Sequence, residues 1–332
     1  MGGLTLLVGL LPVVLFLAAL MLMDSYKLVS RKSVTAALAA GAAAASACFL
    51  LNQILLGIGL DERLLRRYVA PVLEETAKAV YIVFLIRSAR VGFLVDAAIQ
   101  GFAVGTGFAL VENLYVAGVT TDAGMGLWLV RGLGTAVMHG SATAIVAILS
   151  KSLTERRGSL SLRLFLPGVA IAALAHATFN HFLLNPFIST AAMLIAMPLL
   201  VGVVFERSDR ATREWLGVGL DSDVELHEII ESGRIADTPA GAYLSSLHRF
   251  PGPVVADMLC LLRIHLELSL RAKGVLIARS VGVEVPIDAQ VRENFREMKF
   301  LERSIGKTGR LAMLPIMRTK DRDLWELYVL RE

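Results

Sequence analysis

The chain has 332 residues, 55% of them hydrophobic and 19% charged, with a mean hydropathy of +0.64 and a formal net charge of +4. These values exclude a soluble globular domain of this length and describe an all-α, polytopic membrane helix bundle. The basic residues are scattered through short loops and the C-terminal third, a pattern of topology signals and anionic-lipid contact rather than nucleic-acid binding. Cys48 and Cys260 provide neither a disulfide framework nor a metal-type cluster.

Runs of about 20 apolar residues are long enough to cross a bilayer. Seven such runs lie near 4–23, 34–56, 68–86, 93–117, 127–149, 163–184 and 187–205. The first begins Met1-Gly2-Gly3 without a basic n-region, and no small-residue cleavage pattern precedes Asp24, so a retained anchor is expected. The Ala-rich 36–47 stretch suits close helix packing. Lys27, Arg31 and Lys32 follow the first span, Arg87 and Arg90 the third, Lys151, Arg156 and Arg157 the fifth, and Arg207, Arg210 and Arg213 the seventh. The 118–126 and 185–186 loops carry no Lys or Arg. The positive-inside rule therefore places the N-terminus outside and the C-terminal region in the cytoplasm. The 57–67 loop, with Arg63, Arg66 and Arg67, is the exception and reads as a short interfacial amphipathic helix.

From 207 to 332 the pattern changes to mixed charge, predicting a small, mostly helical cytoplasmic domain beside a membrane domain over 1–206. Asp221 or Ser222 is expected to cap a helix that Gly233 ends, and Pro251 and Pro253 open an amphipathic helix toward Arg279. Helical spacing continues over 288–304, while Leu324–Leu330 suits helix or strand.

The apolar spans carry ionisable groups that membrane insertion does not explain, since each costs roughly 2.5–3.5 kcal/mol at bilayer depth. Glu74, Glu75 and Lys78 lie in the third span, Asp96 and Glu112 in the fourth, Arg131 and His139 in the fifth, and His176, Asn180 and His181 in the sixth. At about 1.5 Å per residue, Glu75, Glu112, His176 and His139 fall roughly 8–18 Å from the outer span ends, which suggests one shared cavity. Glu74 and Lys78 are an i, i+4 pair and Glu75 and Lys78 an i, i+3 pair, so one lysine can hold either carboxylate. Phe108 and Glu112, and His176 and Asn180, repeat the i, i+4 spacing. Two acids, two histidines and an amide can activate water and stabilise an oxyanion, or hold one divalent metal. Asp96 and Arg131 lie close to span ends and are expected to snorkel as structural residues. His181 reads as structural or interfacial, and His227, His248 and His265 as ordinary residues of the C-terminal domain.

Glu74-Glu75-x-x-Lys78, Phe108-x-x-x-Glu112-Asn113, His139 in Met138-His139-Gly140, and His176-x-x-x-Asn180, in that order on successive spans, resemble the PrsW family of intramembrane proteases. The pattern is more distantly similar to the CPBP group, which includes the CAAX prenyl endopeptidases. The resemblance covers roughly residues 1–205. It implies a bacterial inner-membrane protease that cuts a membrane-anchored substrate, typically an anti-sigma factor, near the outer face. It also implies either one divalent metal, zinc, held by Glu75, Glu112, His139 and His176, or a metal-free glutamate and histidine mechanism. In either case Glu74 or Glu75 is the base, Glu74 being preferred by resemblance, and Lys78 sets its charge. Glu112 and His139 orient the water, and His176 and Asn180 hold the oxyanion. The family often has Asp where Asn180 stands, which removes one acidic candidate ligand. The alternatives are an ion- or proton-coupled transporter, which needs polar residues through the cytoplasmic half, where spans three to six are nearly bare apart from Asp96, and a catalytically silent receptor or scaffold. The C-terminal domain shows no chemistry motif and suits docking of a cytoplasmic partner.

Overall fold

The computed structural model describes residues 3–120, 124–181, 183, 185–317 and 321–331, and among them it contains helices and no strand. The chain divides into two compact units, Met1–Asp209 and Arg210–Glu332. Residues 121–123 of the 118–126 loop lie outside the described set, as do 182 and 184 of the sixth span.

In the first unit α1 is Gly3–Met23 and α2 is Arg31–Gly57. The Ser30 side chain caps α2 by accepting from the Ser33 amide at 3.1 Å. A turn over Glu62–Leu64, capped by Asp61, and a π-helical turn over Leu65–Val69 lead into α3, Ala70–Arg87. Then follow α4, Leu94–Val119, and α5, Met125–Arg157, which contains a π-helical turn over Val130–Thr135. The unit continues with α6, Leu166–Asn180, and the apolar first part of α7, Pro186–Glu231. Among the described residues, six helices are long and apolar enough to cross a membrane. α3 carries Glu74, Glu75 and Lys78 and packs against α2 and α6, so its acids cost it apolarity without costing it a place in the bundle.

α4 is the central helix, buried along most of its length between α2 and α5. Small residues permit this. A methyl on Gly105 would run into the His139 carbonyl, and one on Gly41 into the Val104 carbonyl. The helices therefore touch backbone to backbone, as small residues allow in membrane bundles.

Two expectations change here. Asp96 does not snorkel. It is 1% exposed, and its Oδ2 accepts from the backbone amides of Gly92 at 2.8 Å and Phe93 at 3.3 Å, closing the start of α4. Nor is this end of the bundle bare, because Gln100, Ser150 and Lys151 are buried there as well, with Gln100 donating to Ser33.

In the second unit α7 continues unbroken to Glu231, so Asp221 and Ser222 start no new helix. The reason lies at the next acidic residue. Asp223 is buried beside Lys273, whose Nζ lies 2.7 Å from Asp223 and 2.9 Å from Glu326, and the segment is held by that pairing rather than by a cap. The Gly233 backbone, at φ +71°, ends the helix as its spacing predicts. The remaining elements are α8 Pro239–Ser246, α9 Gly252–Ser280, α10 Ala289–Ser304, α11 Gly306–Met313 and α12 Asp321–Val329. The last resolves the ambiguity of Leu324–Leu330 as helix. Their core includes Met258, Leu261, Leu268, Val291, Met298 and Leu301.

Candidate active site

Four helices supply the site. α3 brings Glu74, Glu75 and Lys78, α4 brings Glu112 and Asn113, α5 brings Arg131 and His139, and α6 brings His176. Beside it, Ala79, Met138, Ala142, Ala172 and Phe179 interlock α3, α5 and α6 in an apolar cluster that fixes their registers.

The polar side chains form one continuous chain of contacts. Of the two carboxylates within reach of Lys78, the structure pairs the lysine with Glu75, Nζ to Oε1 at 2.6 Å, and both side chains are 0% exposed. The same Oε1 accepts from His176 Nδ1 at 2.8 Å, while Glu75 Oε2 is buried without a hydrogen-bond partner. Lys78 also reaches His139 Nδ1 at 3.1 Å, and its ammonium lies 4.8 Å from the centre of the Phe108 ring. That contact explains the Phe108–Glu112 spacing, since the ring covers the lysine one turn away from the acid. His139 Nε2 faces Glu112 Oε2 at 2.8 Å, and Glu112 Oε1 meets Arg131 Nη2 at 2.9 Å. The His139 and His176 rings stand edge to face, 4.7 Å apart.

Glu74 takes a different position from Glu75. Its Oε2 lies 3.8 Å from His176 Nε2, and its side chain is 15% exposed. Glu74, His139 and His176 each present one ligand atom within 4.8 Å of the others. Two imidazoles and one carboxylate are a donor set that zinc takes in catalytic sites with one position open. A carboxylate also stands behind each imidazole, Glu75 at His176 and Glu112 at His139, as metal-binding histidines usually require. The residues present therefore fit a divalent ion, with Glu74 rather than Glu75 or Glu112 facing the shared space.

Asn180 makes its hydrogen bond outside this cluster. Its Nδ2 donates to the Arg66 carbonyl at 3.2 Å, tying the end of α6 to the π turn before α3. His181 Nδ1 donates to the Ala177 carbonyl, 2.7 Å away, and the ring packs edge-on against Tyr68, in keeping with a structural role. Arg131 departs from expectation. It is partly buried against Glu112 and Asn113 instead of snorkelling, because two acceptors on α4 meet its guanidinium. Its position eight residues before His139 was the available signal.

Acids and imidazoles able to move protons and hold a divalent ion, buried among apolar helices, define a membrane-embedded hydrolase. Residues 29–203 match the PrsW family intramembrane metalloprotease profile over more than half the chain, and the chain belongs to that family of intramembrane proteases. No curated protein and no solved structure matches it.

Proposed function

We propose that the cluster hydrolyses a peptide bond of a membrane-anchored protein, with Glu74 as the carboxylate that takes a proton from water. One observation carries this assignment: Glu74 and His176 Nε2 face each other 3.8 Å apart at a partly open position, whereas Glu75 is sealed against Lys78. Two groups at that separation can share one water. As the water oxygen attacks the scissile carbonyl, Glu74 accepts its proton and passes it to the leaving amine nitrogen. Glu75 holds His176 through Nδ1, and Lys78 balances the charge of Glu75. Glu112 holds His139 through Nε2. His139 and His176 would hold zinc beside Glu74, which stays free to act as the base, and the ion would supply Lewis acidity toward the carbonyl and the water. Asn180, bonded to Arg66, acts in docking α6 rather than at an oxyanion.

The loop charges support a bacterial inner-membrane chain with its N-terminus outside and residues 207–332 cytoplasmic, and hence cleavage near the outer face of a substrate such as an anti-sigma factor. Residues 207–332 are the part available to a cytoplasmic partner. Membranes from cells expressing the full chain, or its Glu74→Gln or His176→Ala variants, would be compared for released fragments of single-span proteins. Fragments absent from both variants, at equal chain levels, are the expected result. Identical fragments in all three overturn the proposal.

A further inference from the structure

We infer that Arg131 is a positioning residue of this site: it holds Glu112 so that Glu112 fixes the orientation and the tautomer of His139. The inference rests on the hydrolytic reading above. The guanidinium grips two neighbouring residues of α4, with Nη2 2.9 Å from Glu112 Oε1 and Nε 2.8 Å from Asn113 Oδ1. Asn113 is itself anchored, its Nδ2 donating to the Gly9 carbonyl of α1 at 2.7 Å. Glu112 turns its other oxygen to His139 Nε2 at 2.8 Å. A carboxylate only accepts, so Nε2 carries the ring proton. Nδ1, 3.1 Å from the Lys78 ammonium, then keeps its lone pair.

An ion pair that served only to neutralise Arg131 would need Glu112 alone. Here the fork engages two acceptors, one of them tied to a third helix, which fixes direction as well as charge. Glu112 needs that restraint, since its side chain is 34% exposed. The helix carrying Arg131 is shaped for the contact. Two turns of α-helix take about 7.2 residues, so residues eight apart fall out of line. The π turn over Val130–Thr135 adds the missing fraction and brings Arg131 and His139 to the same face of α5, opposite Glu112.

The full chain, labelled with 15N-histidine and reconstituted in lipid, reports the tautomer by magic-angle-spinning NMR, with His139 assigned by loss of its signals in His139→Gln. The wild type should show His139 protonated at Nε2 and bare at Nδ1. Arg131→Met should give a tautomer mixture and lower cleavage by about 10–100-fold, the usual effect of losing a group that orients a site histidine. Arg131→Lys should recover part of both. Glu112→Gln should match Arg131→Met, and the double variant should add nothing further. Unchanged His139 signals in Arg131→Met, with the His176 and His265 signals intact, overturn the inference. So does an additive double variant. Failure of the hydrolytic reading shows separately, as identical fragment release by wild type and His176→Ala.

Discussion

His176 is held from one side and open on the other: Nδ1 meets Glu75 at 2.8 Å, and Nε2 looks across 3.8 Å toward Glu74. The adjacent glutamates therefore do different work. Glu74→Gln should leave folding intact and lower cleavage by about 10²–10⁴-fold, the usual worth of a general base. Glu75→Gln should lose activity and also accumulate poorly, because it strips Lys78 of its buried carboxylate. Cleavage rates and detergent-solubilised yields of the two variants separate these effects, and equal yields with equal activity loss would count against the division.

Removal of metal is the second test. Dialysis against a strong zinc chelator should abolish cleavage by the purified full chain, and added zinc should restore it. Metal content measured in parallel should fall in His176→Ala, which lacks one of the grouped donors. Full activity in the chelated protein would exclude a metal-dependent step.

Gly105 lets α4 touch the His139 backbone. Gly105→Ala should push α5 away, costing about 1–3 kcal/mol through overpacking and lowering cleavage. Gly118, near the end of the same helix, has open space around it, so Gly118→Ala is the control and should behave as wild type.

In the second unit, Lys273 is buried between Asp223 and Glu326, both buried as well. Lys273→Met removes the buried cation that lies between these two carboxylates and should destabilise this unit by about 3–5 kcal/mol. Hydrogen exchange across Gly252–Ser280 would register the loss.

His265 packs in the core of the same unit, and burial pushes its imidazole below the ordinary histidine range, partly offset by Asp223. The unfolded chain then binds a proton at higher pH than the folded one. The stability that depends on neutral His265 is complete above about pH 6.5, the unfolded value, and declines as pH falls toward the folded value. Exchange protection of α9, corrected for intrinsic rates, should drop between pH 6.5 and 5, and His265→Leu should flatten that drop.

Much of the site could be read from the chain because charge in an apolar span is costly. Glu74, Glu75, Lys78, Glu112, His139 and His176 stood out on that ground alone, and the structure brings them together. The pairing among them could not be read. Lys78 can reach either glutamate by spacing, and the choice is made by His176, about a hundred residues away in the chain. Asp96 and Arg131 look alike in sequence, as charges near span ends, yet one closes a helix start and the other grips two residues of a neighbouring helix. Both outcomes depend on partners that periodicity does not reveal. In the second unit, local residues predict the start of a new helix at Asp221 or Ser222, but Asp223 answers to Lys273, fifty positions further on.

The π turn in α5 makes the count of residues between Arg131 and His139 a physical quantity. Wound as ordinary α-helix, the same residues would keep every charged group. Eight residues would then run about 80° past two turns, swinging the guanidinium about a quarter turn off the face that carries His139. Composition would be unchanged, and the alignment of the site would be gone.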